Sequence, residues 1–434
     1  MLRLLWTAML AAVAAIQAAG QSAREELAAN PALAAGKYYA YEAPRVTQTA
    51  PPAGYEPFYI SVFARHGSRY LTDAEKYDRP IAALKQAAAQ GCLSADGQRA
   101  LKAAQALKDE AQGRYGELTP KGAAQHRGLV RRMVEHYPSV FGDGVHVDAR
   151  STYKTRAFLS MASACVELAR LRPGLRITQD ASQHDAYYMK YKNKAYEAEH
   201  LGNAGGVYRA ADSVYVHPQR LMGQLFTDTA VLSQLSRTPQ ELMLDLFELY
   251  GIAQSSYAPH DLSFLFTPEE CYALWQRNNF EWYYEKGASP ASGGHMYWLE
   301  RNLLENFVLT ADTVIASGNR AVTLRYGHDT NLAPLAALMG LDRLQVSTAD
   351  WDAIADTYRT YRIIPMCGNV QLVFYRKAGS DDILLRVLLN EREAKLPVST
   401  DVAPFYHWKD VRAYWQKVLS AIRLPEPSAG QTED

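Results

Sequence analysis

The sequence predicts an α/β protein: a mostly parallel sheet with helices on both faces, interrupted by a smaller α-helical cap. Short apolar runs rich in β-branched and aromatic residues recur at 58–63, 145–149, 321–326, 369–375 and 383–389. Patterns of helical period separate many of them, which is the rhythm of a sheet covered by crossover helices. From 205 to 311 the apolar residues follow helical spacing alone, so that block reads as an insert dividing the core into 21–204 and 312–424. A chain of 434 residues has room for two or three domains. Its 48% hydrophobic and 21% charged residues are those of an ordinary globular protein. The formal net charge of +0 argues against nucleic-acid binding, which needs a basic surface. Affinity for a polyanion would have to come from a local basic pocket.

Met1-Leu2-Arg3 is a positive start, residues 4–16 are apolar but short for a bilayer, and Ala18-Ala19-Gly20 offers a small-residue cleavage site. Residues 1–20 therefore read as a secretory signal. The mature chain is expected in the periplasm or outside the cell, with no membrane attachment once cut. Export permits disulfides. Cys92, Cys165, Cys271 and Cys367 allow three full pairings, and free buried thiols are an equally good reading. Their wide spacing does not resemble a zinc site. Residues 21–50 read as an extended lead-in that docks late.

The run at 58–63 then ends in Arg65-His66-Gly67-Ser68-Arg69-Tyr70. A buried strand that delivers two arginines and a histidine around a glycine is not building core. One buried Arg could be a structural ion pair. Two flanking a His point instead to an anion pocket, because guanidinium groups bind phosphate bidentately and a neutral imidazole can attack phosphorus.

Residues 78–113 read as helical with a break at Gly91. Thr119-Pro120 opens a better helix, with Leu129, Val130, Met133, Val134 and Tyr137 on one face and His126 as a surface or packing residue. A strand at 145–149 runs into Arg150, Lys154 and Arg156 at the start of the next helix. Cations are unfavourable there, a conflict that an anion at the helix N-terminus would resolve. The plainer alternative turns Arg156 to solvent or to Asp148. A further strand is expected at 175–178. Lys190, Lys192 and Lys194 alternate beyond it, as a solvated edge or, with Thr72, as part of a substrate pocket. Thr238-Pro239-Gln240-Glu241 and Thr267-Pro268-Glu269-Glu270 read as capping boxes, and Gly287 ends the second of these helices. Residues 425–434 are polar and read as a disordered tail.

The strand at 321–326 ends in Gly327-His328-Asp329-Thr330-Asn331-Leu332, followed by a helix with Pro334 in its first turn and Gly340 past its end. That turn sets polar groups at the C-terminal edge of a sheet, where open α/β sheets bind ligands. Alone, His-Asp would be a helix cap.

Together these segments resemble the histidine acid phosphatases, in the branch that holds the phytases and the multiple inositol polyphosphate phosphatases. Arg65-His66-Gly67-Ser68-Arg69 is similar to that family's first motif and Gly327-His328-Asp329-Thr330-Asn331-Leu332 to its second. Leu118-Thr119-Pro120-x-Gly122 resembles the intervening helix start, Arg156 the third phosphate-binding arginine, and Pro365-Met366-x-x-Asn369 to Tyr375 the closing strand. The resemblance spans about 55–395. Two positions depart from it. Leu71 stands where the family often has Pro. The Tyr70-containing first motif looks like the inositol polyphosphate phosphatases, whose second motif usually reads His-Ala-Glu.

The resemblance implies two-step hydrolysis of a small phosphomonoester, with His66 as nucleophile and Asp329 as proton donor. Arg65, Arg69, Arg156 and His328 would hold the phosphate, with no metal and no cofactor. Inositol phosphates are the expected substrates. The alternatives are a broad-specificity or sugar-phosphate acid phosphatase and a secreted polyanion-binding protein without catalysis. A phosphoglycerate mutase-like enzyme is disfavoured by Arg69, the His-Asp motif and the export signal.

Overall fold

The computed structural model describes residues 21–425 other than 45 and 259. The expected signal segment, and the expected tail beyond Pro425, lie outside the described residues. In chain order the main strands are β1 (Tyr55–Arg65), β2 (His146–Ser151), β3 (Arg176–Asp180), β4 (Ala321–Gly327), β5 (Asn369–Lys377) and β6 (Ile383–Leu389). They form a mixed sheet in the order β3-β2-β4-β1-β5-β6. The first four run parallel, and β5 and β6 are antiparallel additions beyond β1. The sheet is thus parallel through its core and antiparallel toward one edge.

Helices flank it. The helices used below, some of them away from the sheet, are in chain order α1 (Ala23–Ala29), α2 (Glu75–Ala89), α3 (Ala95–Ala111), α4 (Pro120–His136), α5 (Thr155–Leu171), α6 (Pro239–Ala253), α7 (Pro268–Lys286), α8 (Arg301–Ser317), α9 (Asp329–Leu338) and α10 (Trp408–Ala421). Successive residues of β1 point to opposite sides, and both sides are buried, as a covered sheet requires. Tyr59 and Phe63 pack with Phe307 of α8, Leu335 of α9 and Trp415 of α10. Ile60 and Val62 pack on the other face with Val130 of α4 and Met161 of α5. The expected helical stretch is helical, with both capping boxes formed at Thr238/Glu241 and Thr267/Glu270. Its helices α6 and α7 share a buried cluster with α2 and α3, in which Leu84, Ala104, Leu246 and Trp275 meet. The last of the stretch, α8, lies against the sheet instead.

Several local expectations change. The lead-in is not extended at its start: Ser22 and Glu25 cap α1, and a 3-10 segment, Pro31–Tyr38, follows. Buried Glu26 anchors this segment by accepting hydrogen bonds from Arg359 (2.9 Å) and Tyr361 (2.7 Å), and it also pairs with Arg362. Pro334 falls in the second turn of α9, because that helix already begins at Asp329. All four cysteines are free thiols. His126 is a packing residue, fully buried edge-on to Tyr326.

Candidate active site

The register explains how distant motifs meet. Arg65, the last residue of β1, pairs with Gly327, the last of β4, and Ser151, the last of β2, pairs with Tyr326. Three parallel strands therefore end together, and the chain leaves them as the loop 66–69, the turn 152–156 and the His328–Asp329 turn. A ligand at the carboxyl end of such strands is the usual arrangement in α/β sheets.

The first loop is held by backbone. His66 N–H donates to Gly327 O at 2.9 Å, and Cys367 N–H donates back to His66 O at 2.9 Å. Gly67 N–H donates to Ser160 Oγ at 3.1 Å, and Ser68 N–H to the Gln125 side chain at 2.9 Å. The loop lies directly on the first turn of α4. A Cβ on Gly67 would stand 2.4 Å from Gly122 O, and one on Gly122 would stand 2.2 Å from Ser68 O. Two glycines are required because two backbones touch. Gly122 belongs to the Leu118-Thr119-Pro120-x-Gly122 segment, so that motif acts as a seat for the Arg-His-Gly loop.

Arg65 is fully buried. Its Nη1 donates to the carbonyls of Lys37 and Ile364, both at 2.5 Å, and its Nη2 lies 2.6 Å from Asp329 Oδ2. Arg69 is anchored through Nη1 to Tyr70 O at 2.8 Å. Arg156 is the second residue of α5, and its Nη2 is 3.5 Å from His328 Nδ1. The nearby Asp148 is taken by Arg150, which also pairs with Asp180 and Asp185. Arg156 therefore keeps its unfavourable place at a helix N-terminus without an ion pair of its own among the described residues. The buried Nε atoms of Arg65, Arg69 and Arg156 have no hydrogen-bond partner among the described residues. Three guanidinium groups with donors to spare make a built anion site.

The two histidines stand beside each other, ring centroids 5.6 Å apart. His66 Nδ1 is 2.9 Å from Gly67 O. A carbonyl can only accept, so this contact puts the proton on Nδ1 and leaves the Nε2 lone pair unprotonated. Burial, then the charges of Arg65, Arg156 and Arg69, hold the His66 imidazole well below the usual range. His328 Nε2 meets Thr152 Oγ1 at 3.0 Å, and burial with Arg156 pushes this ring down to about 3. For Asp329, burial favours the neutral acid, but Arg65, Arg69 and Lys37 outweigh it and keep the carboxylate ionised.

The six residues expected at the centre are thus brought together. Lys190 and Lys192 line a cavity of about 230 Å³ with Arg156 and His328, and Lys190 also contacts Tyr153. Lys194 does not line it and starts the helix Lys194–Leu201. Thr72 is exposed and donates to Asp73 at 2.6 Å, beside Gly116 at the rim. Sequence reasoning missed Lys37, Thr152, Ser160 and Gln125. Only Thr152 and Ser160, either side of the Arg156 turn, stood where a polar partner could have been sought. Among the described residues no group of three or more His, Cys, Asp or Glu is placed to hold a metal ion.

The model of the histidine phosphatase superfamily, branch 2, matches residues 59–390. The chain belongs to that family. It is a histidine acid phosphatase by enzyme class, acting on small phosphoesters. No curated protein matches it in sequence. Among solved structures, the Bifidobacterium longum multiple inositol polyphosphate phosphatase, in complex with inositol hexasulfate, is similar with a TM-score of 0.73 at 21% identity. That match covers 88% of this chain and 97% of the other. The phytase from D. castellii gives 0.63 at 13% identity, over 90% and 85%. The Klebsiella sp ASR1 phytase gives 0.51 at 15%, over 85% and 98%. At these identities the likeness is one of fold. No helix among the described residues is long and apolar enough to cross a membrane.

Proposed function

We propose that this histidine phosphatase is an exported phosphomonoesterase that works through a phosphohistidine, with inositol phosphates such as phytate as its substrates. The observation that carries the reading is His66: its Nδ1 is occupied by Gly67 O, so Nε2 faces the reaction as a neutral lone pair among three guanidinium groups. Arg65, Arg69, Arg156 and His328 hold the non-bridging oxygens. His66 Nε2 forms the N–P bond as the P–O ester bond breaks, and the departing alkoxide takes a proton from Asp329.

That proton needs a source, because Asp329 is ionised beside Arg65. In mild acid the ester arrives as a monoanion. Its negative charge competes for Arg65, so the carboxyl accepts the substrate's proton and returns it to the leaving oxygen. Water then attacks the phosphohistidine, releasing inorganic phosphate and restoring His66.

The choice of inositol phosphates rests on the Tyr70-containing first motif and on the cationic cavity with Lys190 and Lys192 beside Arg156. Likeness of fold to a phosphatase held with inositol hexasulfate supports it. The segment 205–311 acts as the cap, supplying Lys286 and Glu300 to that cavity. Phosphate release in chelator at mildly acid pH tests the proposal, with inositol hexakisphosphate, a sugar monophosphate and nitrophenyl phosphate compared by kcat/KM. The inositol phosphate should lead. An equal or higher value for the sugar phosphate would make the enzyme a broad phosphatase, and no release from any substrate would leave a polyanion-binding protein.

A further inference from the structure

Glu300, the residue before α8, is 3% exposed, and its Oε1 accepts a hydrogen bond from Asn331 Nδ2 at 3.1 Å. Its other oxygen, Oε2, is buried without a partner among the described residues, and so is Asn331 Oδ1. Both residues line the cavity beside Arg156 and His328. Two unsatisfied polar atoms in a buried pair are costly unless a ligand, or a water that a ligand can displace, completes them. A metal cation is a poor occupant, since Lys190, Lys192 and Arg156 share the same wall. A phosphate is poor too, because the three guanidinium groups of the same pocket compete for its oxygens, and in mild acid at most one of those oxygens carries a proton for Asn331 Oδ1.

A hydroxyl group both donates and accepts, and it fits. Burial pushes the Glu300 carboxyl up to about 8, against the opposing effects of Asn331 and Lys286, so it carries a proton at the pH where the enzyme is proposed to work. Its O–H can then donate to the hydroxyl oxygen while Asn331 Oδ1 receives the hydroxyl proton.

We propose that Glu300 and Asn331 form a subsite for a free hydroxyl neighbouring the ester that is cleaved. The preferred substrates are then partly dephosphorylated inositol phosphates rather than the hexakisphosphate, which has no free hydroxyl. This rests on the inositol phosphate reading above and narrows it. A site built to bond a hydroxyl rejects an analogue that lacks it, because its own buried groups are left unpaired.

The test compares kcat/KM for three substrates: the inositol pentakisphosphate isomer hydrolysed fastest, its deoxy counterpart with hydrogen in place of the hydroxyl, and the hexakisphosphate. In the wild type the deoxy compound should fall at least about tenfold below its parent. Glu300→Leu should erase most of that difference, and Glu300→Gln, which keeps a donor and an acceptor, should restore much of it. Parity of the parent and deoxy compounds in the wild type overturns the subsite while leaving the substrate class standing, and needs no variant to fold. Hydrolysis of nitrophenyl phosphate with no turnover of any inositol phosphate overturns the substrate class and the subsite with it.

Discussion

Replacing Gly122 with alanine should cost about 10²-fold in kcat, although the atoms nearest the new Cβ belong to Ser68 and Leu118 rather than to a phosphate-holding side chain. The new Cβ would stand 2.2 Å from Ser68 O and 2.7 Å from Ser68 N, where ordinary contact begins at 3.4 Å. Leu118 Cδ1, also at 2.7 Å, can move aside, but the two Ser68 atoms are backbone and no rotamer change relieves that clash. The loop and α4 must part by about 1 Å, and a shift of that size at a reacting group is worth about two orders of magnitude. Ser68 lies between His66 and Arg69, so the displacement falls on both. Overpacking should also cost about 1–3 kcal/mol of stability. Steady-state kcat on nitrophenyl phosphate, read with a thermal melt, separates the two effects. Gly128→Ala is the control on the same helix: its Cβ would meet no backbone outside its own helix within 4 Å, only Nη1 of the Arg132 side chain at 3.1 Å. A folded Gly122→Ala enzyme with wild-type kcat, or an equal loss in Gly128→Ala, would refute the reasoning.

Four further outcomes are expected. His66→Ala should leave no more than about a few per cent of turnover and no acid-quenched phosphoenzyme, and retained activity would remove His66 as nucleophile. Arg156→Lys keeps the charge but loses the fork, so kcat/KM should drop clearly; unchanged kinetics would return Arg156 to a structural role. Asp329→Asn should lose about 10²–10⁴-fold on alkyl phosphates and far less on nitrophenyl phosphate, whose leaving group needs no proton. A uniform fall would make Asp329 a positioning residue. His126 is held neutral by burial, which pushes it down to about 3. Below pH 6.5 the unfolded chain therefore binds a proton that the folded one refuses. Stability should fall with acid by up to about 1.4 kcal/mol per pH unit from this residue alone. Melts at pH 5 and 7 should show a smaller difference in His126→Phe than in the wild type.

The six central residues could be found in the sequence because each sits at the end of a strand or the start of a helix, where a polar cluster breaks an apolar pattern. Arg65 and His328 interrupt runs that otherwise build core, and Arg156 violates the charge preference of its helix. Lys37 gives no such signal. It lies in an Ala- and Tyr-rich segment without periodicity, and reaches the site because Glu26 docks that segment against 359–362 and Tyr38 bonds Glu248. Glu300 is also silent in sequence. A glutamate in a helical stretch reads as solvated, and only packing against Asn331 makes it a buried acid. The lysine series divides for a similar reason: 190–193 run between the helical turn Ala186–Met189 and the helix that begins at Lys194, so Lys190 and Lys192 share the cavity and Lys194 leaves it.

The pairing of β1 with β4 also constrains how the protein can be made. A strand finished by residue 65 waits for a neighbour that begins at 321, and its other neighbour begins at 369. Until those segments leave the ribosome, the central strand has both edges open and Arg65 lacks Asp329, the carbonyl of Ile364 and Gly368 O. Contacts so distant along the chain form late and slowly. A nascent chain stopped short of residue 321 therefore carries the first signature without β4, His328 or Asp329, and holds no pocket.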